Sequence, residues 1–270
     1  MDTFSESRPR TGHGRSAPSA QVEPWADPEE HLVSLIAPRS VEAEQYRVLR
    51  HFVEQTHKDN GLLRVIGVTS PAVGDGKTTT AINLAGALAQ ASGMRVLLID
   101  TDLRRGSVQE QFRLPRSGAL GLAEAIADPA LTLSDVARFL PQFNLGMVVA
   151  GRCPAAPYEA FKSPRFTELM TEAREGYDYV IVDTPPLIPV PDSRVIAKSI
   201  DGFVLVISAH RTRQRLVEEA LDIIEPVKMV GIVFNRDDRP RSESYGYYGG
   251  YGEPLNGHHR AWWKVGRRER

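Results

Sequence analysis

The sequence predicts an α/β protein built on one doubly wound, mostly parallel sheet with helices on both faces. Three observations predict it. From residue 63 onward, short β-branched runs alternate with helical stretches, the pattern of consecutive βαβ units. The strand candidates are continuous apolar runs, as expected when helices cover both faces of a parallel sheet. One of them runs through a glycine-containing turn straight into a helix, over residues 65–91.

In chain order, residues 1–28 are rich in Ser, Arg, Pro and Gly and poor in large apolar side chains, so burial cannot offset the entropy of ordering them. They read as a disordered arm. A domain over residues 29–236 follows. Within it Val41, Leu49, Phe52 and Val53 recur at helical spacing among charged neighbours, predicting an amphipathic helix over 40–58. Next come a strand at 65–69, a helix at 78–91 and a strand at 96–100. Further strands are predicted at 145–150, 179–183, 203–208 and 229–234, and helices at 165–174, 192–199 and 213–224. After Asn235 the pattern stops, and residues 237–270 read as a flexible Tyr/Gly-rich and basic tail.

Composition bounds the function. A chain of 270 residues with 41% apolar and 25% charged residues can bury one sizeable core and still carry flexible ends. The net charge of −1 gives no electrostatic case for a nucleic-acid partner, and none is expected. The single cysteine, Cys153, excludes an internal disulfide and a cysteine zinc site, reads as structural, and fits a reducing cytosol. Apolar runs such as 179–182 and 203–207 are far shorter than the roughly 20 residues that cross a bilayer. The first nineteen residues lack the apolar stretch of a secretory signal, so a cytoplasmic protein is expected.

The turn reads Ser70-Pro71-Ala72-Val73-Gly74-Asp75-Gly76-Lys77-Thr78-Thr79. Gly74 and Gly76 admit backbone conformations closed to other residues, so successive N–H groups can converge on phosphate oxygens at the positive end of the following helix. Val73 to Thr79 are therefore the candidate nucleotide contacts, for ATP with Mg²⁺. Lys77 would meet the β and γ phosphates, and the Thr78 hydroxyl would ligate Mg²⁺. The general phosphate-loop pattern wants glycine six residues before the lysine, where this chain has Pro71. A solvated Gly-Asp-Gly turn with an incidental lysine is the competing reading, and the flanking strand and helix weigh against it.

Phosphoryl transfer needs carboxylates near the phosphates to organise Mg²⁺ and its waters. Strand 96–100 ends in Asp100-Thr101-Asp102, and strand 179–183 ends in Asp183-Thr184-Pro185-Pro186. Taken singly, an apolar strand ending in Asp marks only a turn or helix cap. With the loop they describe one site outside the carboxyl ends of the strands, where open α/β sheets bind ligands. Lys77, Asp100, Asp102 and Asp183 are the candidate catalytic residues, and Thr78 and Asp102 the candidate metal residues.

These motifs resemble a known family. Partition-type ATPases carry a second lysine five residues before the phosphate lysine, where this chain has Ala72. The sequence instead resembles the cytoplasmic kinase domain of bacterial tyrosine kinases of capsule and exopolysaccharide synthesis. The resemblance rests on Gly74-Asp75-Gly76-Lys77-Thr78, on residues 98–105, on residues 180–186 and on Glu44-Gln45-Tyr46-Arg47-Val48-Leu49-Arg50, and it spans residues 40–251. It implies a phosphate-loop fold of the deviant Walker, partition-ATPase-like type. By it, Lys77 and Thr78 would hold phosphates and Mg²⁺, while Asp100, Asp102 and Asp183 would order metal waters and help deprotonate a tyrosine. Asn235, with Arg236 as the weaker candidate, would contact adenine. Glu44, Arg47 and Arg50 would join subunits into a ring, although their spacing alone predicts pairing within the helix. A separate membrane-embedded chain-length protein would activate the kinase and hold it at the inner face of the membrane.

Four tyrosines, Tyr245, Tyr247, Tyr248 and Tyr251, fall within seven residues and are interleaved with glycine, as an autophosphorylation segment would be. A Tyr/Gly tail for unspecific contacts is the bland alternative. The family often ends in a denser tyrosine cluster, whereas about twenty residues follow here. Residues 260–270 mix Trp262 and Trp263 with basic side chains, a composition that suits an anionic membrane surface or plain solvation. Two further readings stay open: a partition-class ATPase switch and a nucleotide-binding scaffold.

Overall fold

The computed structural model of the chain describes residues 21–22, 27–61, 63–114 and 120–237. Tyr245, Tyr247, Tyr248 and Tyr251, and the basic stretch with Trp262 and Trp263, lie outside the described residues.

The described elements run β1 (Gln21–Val22), α1 (Val33–Ile36), α2 (Val41–Asn60), β2 (Val65–Thr69), α3 (Lys77–Ala89), β3 (Val96–Asp100), α4 (Val108–Gln111), α5 (Leu122–Ala127), α6 (Leu133–Val136) and β4 (Arg138–Leu140). The chain continues through β5 (Leu145–Val148), α7 (Pro157–Lys162), α8 (Pro164–Gly176), β6 (Tyr179–Asp183), α9 (Asp192–Ile196), β7 (Gly202–Ser208), α10 (Gln214–Ile223) and β8 (Met229–Asn235). The strands form one sheet in the order β1-β4-β5-β3-β6-β2-β7-β8. Every neighbouring pair is parallel except β4 with β5. The doubly wound, mostly parallel architecture is as the sequence predicts. One core layer packs α1, α2 and α3 against one face, and a second packs α5 to α10 against the other.

The departures lie at the margins. β4 is three residues long and opens on Arg138, too short and too polar to register as a buried run. It turns back on β5 through a one-turn 3₁₀ helix, Pro141–Phe143, closed by Asn144 in the left-handed region at φ 51°. β1 falls inside the segment read as a disordered arm, so that reading is corrected for residues 21–22. Pairing with the open edge of β4 needs backbone groups only, and composition does not report them.

Helix α2 begins where Ser40 caps it, the Ser40 hydroxyl accepting the Ala43 N–H at 3.1 Å, and ends at Gly61 with φ 64°. Its buried side chains are not the predicted set. Ala43 and Val53 are buried and Leu49 packs against the core, whereas Val41 and Phe52, predicted to face inward, are 61% and 49% exposed. A stripe of residues 43, 46, 49 and 53 lies on α3, and a small residue, Ala43, begins it. Apolar periodicity alone gave Ala43 too little weight.

Asp201 fastens the sheet's lower edge. It accepts the N–H groups of Arg64 and Val65 at 3.0 and 2.8 Å and both guanidinium nitrogens of Arg174 at 2.8 Å. The starts of β2 and β7 are thereby held together with α8, and this sets the height at which β2 delivers its loop.

Candidate nucleotide and phosphoryl-transfer site

β2 sits beside the sheet's centre, between β6 and β7, and its five buried residues lead into the loop before α3. Gly74 and Gly76 have φ of 86° and 100°, in the region that a side chain disfavours. Three braces hold the loop from the β7–β8 side. The Asp75 carboxylate, itself buried, accepts the Ala72 N–H at 3.0 Å and the Thr212 hydroxyl at 2.7 Å. Asn235 donates its amide to the Asp75 carbonyl at 2.9 Å. Arg236 donates to the Gly74 carbonyl at 2.8 Å. Asn235 and Arg236, read from the sequence as adenine contacts, thus engage the loop itself. Val73 is exposed at the loop's tip, and the Thr79 carbonyl accepts the Asn83 amide at 2.9 Å inside α3. Thr212 was missed, because nothing in its sequence neighbourhood links it to a loop 137 residues away.

On the opposite side, towards β6 and β3, the candidate acids converge. Thr78 donates its hydroxyl to Asp183 at 2.7 Å. The Lys77 ammonium lies 3.4 Å from Asp183 and 3.4 Å from Asp102. Asp100 and Asp183 stand side by side in the β3–β6 register. Asp100 is turned inward: its two oxygens accept the N–H groups of Asp102 and Val108 at 3.0 and 3.1 Å, shaping the turn that presents Asp102. Ser107, a further residue the sequence reading missed, places its hydroxyl 3.3 Å from that of Thr78. The structure therefore brings Lys77, Thr78, Asp100, Asp102 and Asp183 into one buried cluster.

Burial raises Asp100 from 3.8 to about 8, with the neighbouring Asp183 charge pushing the same way and Lys77 against. Burial likewise raises Asp183, opposed by Lys77 and by the Thr78 hydrogen bond. Burial alone would lower Lys77, but Asp183, Asp102 and Asp100 outweigh it and its pKa rises. The cluster fits Mg²⁺ by its chemistry: hard oxygen donors from Thr78, Asp102 and Asp183, with more negative than positive charge to balance. Among the described residues no group of three or more His, Cys, Asp or Glu is placed to hold a metal by itself.

A pH dependence follows. Asp100, and with it Asp183, binds a proton more tightly folded than unfolded, so its contribution to stability is complete below about pH 4 and is lost as pH rises through about 8. Urea unfolding of the metal- and nucleotide-free chain is expected to show a falling midpoint between pH 5 and pH 8. Asp100→Asn is expected to flatten that fall, and an unchanged slope would refute the assignment.

Glu44, Arg47 and Arg50 stand apart from this cluster. Arg47 pairs with Glu44 and donates to the Pro38 carbonyl at 2.7 Å, while Arg50 binds Glu54 at 2.8 Å and the Ala87 carbonyl at 2.9 Å. Glu44 and Arg47 pair within the helix as their spacing predicts, whereas Arg50 pairs with Glu54 and with a carbonyl of α3. Cys153, read as structural, is exposed.

Residues 66–247 match the family model described as CobQ/CobB/MinD/ParA nucleotide binding domain. The tyrosine-protein kinase YwqD of Bacillus subtilis (strain 168) is 33% identical over 223 residues, covering 82% of this chain and 92% of that protein. The chain belongs to the bacterial tyrosine kinase family. Other members are similar to it over comparable spans. The tyrosine-protein kinase CpsD of Streptococcus agalactiae is 32% identical over 78% of this chain and 90% of its own. The kinase domain of the Escherichia coli tyrosine kinase ETK superposes with a TM-score of 0.71 at 27% identity, covering 78% of this chain and 82% of that one. The chimerical protein CapA2B2 gives 0.71 at 28% identity, covering 82% and 94%. A ParA family ATPase from Chlorobium tepidum, at 23% identity and a TM-score of 0.53 over 66% of this chain and 75% of its own, shares the fold. No described helix of this tyrosine-kinase family member is long and apolar enough to cross a membrane.

Proposed function

We propose that this bacterial tyrosine kinase is an ATP-dependent autokinase that transfers the γ-phosphoryl group to Tyr245, Tyr247, Tyr248 and Tyr251 of its own tail, regulating capsular or exopolysaccharide synthesis and export. The observation that carries the reading is the joining of Thr78, Lys77, Asp102 and Asp183 at the mouth of a glycine-braced phosphate loop, in a chain with four clustered tyrosines. Backbone N–H groups of residues 73–79 cradle the phosphates. Lys77 leaves its carboxylate partners for the β and γ phosphates. Thr78, Asp102 and Asp183 would hold Mg²⁺ and its waters, and the ion would neutralise phosphate charge. A tyrosine hydroxyl, with an ordinary pKa of about 10, needs a proton acceptor at neutral pH. Asp102, the least buried of the three acids, takes that proton. The tyrosine oxygen bonds to the γ phosphorus, the bond to the β–γ bridging oxygen breaks, and ADP leaves.

A separate membrane-embedded chain-length protein is the proposed activator, holding the kinase at the inner face of the membrane. Glu44, Arg47 and Arg50 of α2 would join copies into a ring by exchanging their present intrachain partners for those of a neighbour.

The test is intact-mass and peptide mass spectrometry after incubation with Mg²⁺ and ATP, with and without activator segments, beside a Lys77→Met control. Phosphate on residues 245–251 that is absent from the control is the expected result. ATP hydrolysis with an unmodified tail under every condition would move the assignment to a partition-class switch.

A further inference from the structure

Outside the acid cluster lies one more deeply buried carboxylate, that of Asp192, which is 1% exposed. Arg104 answers it with a fork, donating Nε to one oxygen at 2.8 Å and Nη2 to the other at 3.3 Å. The two partners are 88 residues apart in sequence, and each hangs from an acid-bearing strand. Arg104 lies two residues after Asp102, in the turn that leaves β3. Asp192 lies nine residues after Asp183, where the segment leaving β6 enters α9. β3 and β6 are neighbours in the sheet. The segment from β6 is fastened by other bonds: Thr184 donates its N–H to the Val68 carbonyl at 3.1 Å, and Leu187 donates its N–H to the Ser70 carbonyl at 2.9 Å. Ser193 donates its hydroxyl to the Pro185 carbonyl at 2.8 Å, so Asp192 is a fixed post. The turn from β3 is held ahead of Asp102 by Thr101, whose N–H and hydroxyl reach the Asp183 carbonyl at 2.9 and 2.8 Å. Behind Asp102 it is held by Arg104. Asp102 thus stands between two anchors, its carboxylate accepting the Arg105 N–H at 3.0 Å.

We infer that Arg104 and Asp192 are positioning residues of the phosphoryl-transfer site, their ion pair setting where Asp102 stands relative to Asp183. The inference rests on the reading of those two acids as metal residues. Carboxylates that share an ion must be placed closely, and a small misplacement is costly. Asp102 takes its place from a short turn, so a change at Arg104 reaches it within two residues. Lysine at 104 would carry the charge without the fork, and asparagine at 192 would keep the shape without the charge. Either substitution loosens the turn while leaving Asp192 or its amide partnered, so the pair can be weakened without stranding a buried ion. Arg104 and Asp192 bond to each other rather than to residues 73–79, so the pair acts on the acid side of the site and not on the phosphate cradle.

The test is a Mn²⁺ titration followed by electron paramagnetic resonance, with Mn²⁺ standing in for Mg²⁺. It uses the full-length chain with one equivalent of a non-hydrolysable ATP analogue, read against the analogue alone. Metal-free binding of the analogue and urea unfolding are measured on the same preparations. Arg104→Lys and Asp192→Asn are each expected to weaken Mn²⁺ binding about tenfold and to leave metal-free nucleotide affinity within about twofold. Asp102→Asn is expected to weaken Mn²⁺ binding too, and Arg104→Lys added to it to cost less than about twofold more, because both act on one carboxylate. Mn²⁺ affinity at the parent's level in both single variants, whatever their unfolding midpoints, overturns the proposal and leaves the pair a mere seat for α9. A further loss of about tenfold on top of Asp102→Asn, or a matching loss of metal-free nucleotide affinity, overturns it as well. A parent chain that binds no Mn²⁺ overturns the metal reading on which the inference rests, so the two failures are told apart. No outcome depends on the tail being phosphorylated.

Discussion

Gly76→Ala is expected to weaken ATP binding by about 100-fold or more in a fluorescent-nucleotide titration, the larger of two glycine effects in the same loop. Gly74 and Gly76 both have positive φ, at 86° and 100°, so a methyl group at either costs roughly 1–2 kcal/mol of backbone strain. They differ in what that methyl group meets. At Gly74 nothing lies within 4 Å, whereas at Gly76 it would fall 1.9 Å from the Asn235 amide nitrogen. Asn235 cannot retreat cheaply, being a short side chain at the end of β8 whose amide holds the Asp75 carbonyl at 2.9 Å. Gly74→Ala should therefore cost only about 5- to 30-fold, the strain alone. Equal losses in the two variants would show that the Asn235 contact does not set the loop's conformation.

Asp183→Asn is expected to lower tail phosphorylation by about 10³-fold while leaving ATP affinity within about fivefold. The carboxylate is fully buried, accepts the Thr78 hydroxyl at 2.7 Å and lies 3.4 Å from the Lys77 ammonium. Asparagine keeps the shape and one acceptor oxygen but removes the charge that partners the lysine and that, in the proposed mechanism, would order a metal water. Stability should move the other way. Burial raises the Asp183 pKa, so its ionised form is a cost to the folded chain, and the amide removes that cost near neutral pH. Quenched-flow phosphorylation and urea unfolding of one preparation give both numbers. A variant that is as active as its parent, or that loses stability in step with activity, would mean that Asp183 is structural.

What the sequence made legible follows from range. β2, β3, β6 and β7 are continuous runs of apolar and β-branched residues, and residues 65–69, 96–100 and 179–183 were placed to the residue because burial on both faces leaves no alternation to misread. The cluster of Lys77, Thr78, Asp100, Asp102 and Asp183 was legible because each acid ends such a strand at the edge where the loop emerges. β4, β1 and the true buried stripe of α2 were hidden, since pairing at a sheet edge and the fit of Ala43 against α3 depend on partners distant in sequence. The same reason hid Thr212. Its value lies in a hydrogen bond to a loop 137 residues away.

The hydrogen bond from Thr78 to Asp183 and the double approach of Lys77 to Asp102 and Asp183 have a thermodynamic corollary. In this arrangement the lysine and hydroxyl that would grip phosphate grip the protein's own carboxylates. Binding is then a substitution, in which phosphate oxygens evict internal anions that stood in for them. The evicted carboxylates remain beside an incoming polyanion, and a divalent cation is the natural counterweight to both. Nucleotide and metal are thereby expected to be thermodynamically linked, each improving the other's affinity. The self-liganded arrangement is a lock that would open most readily when both keys arrive together.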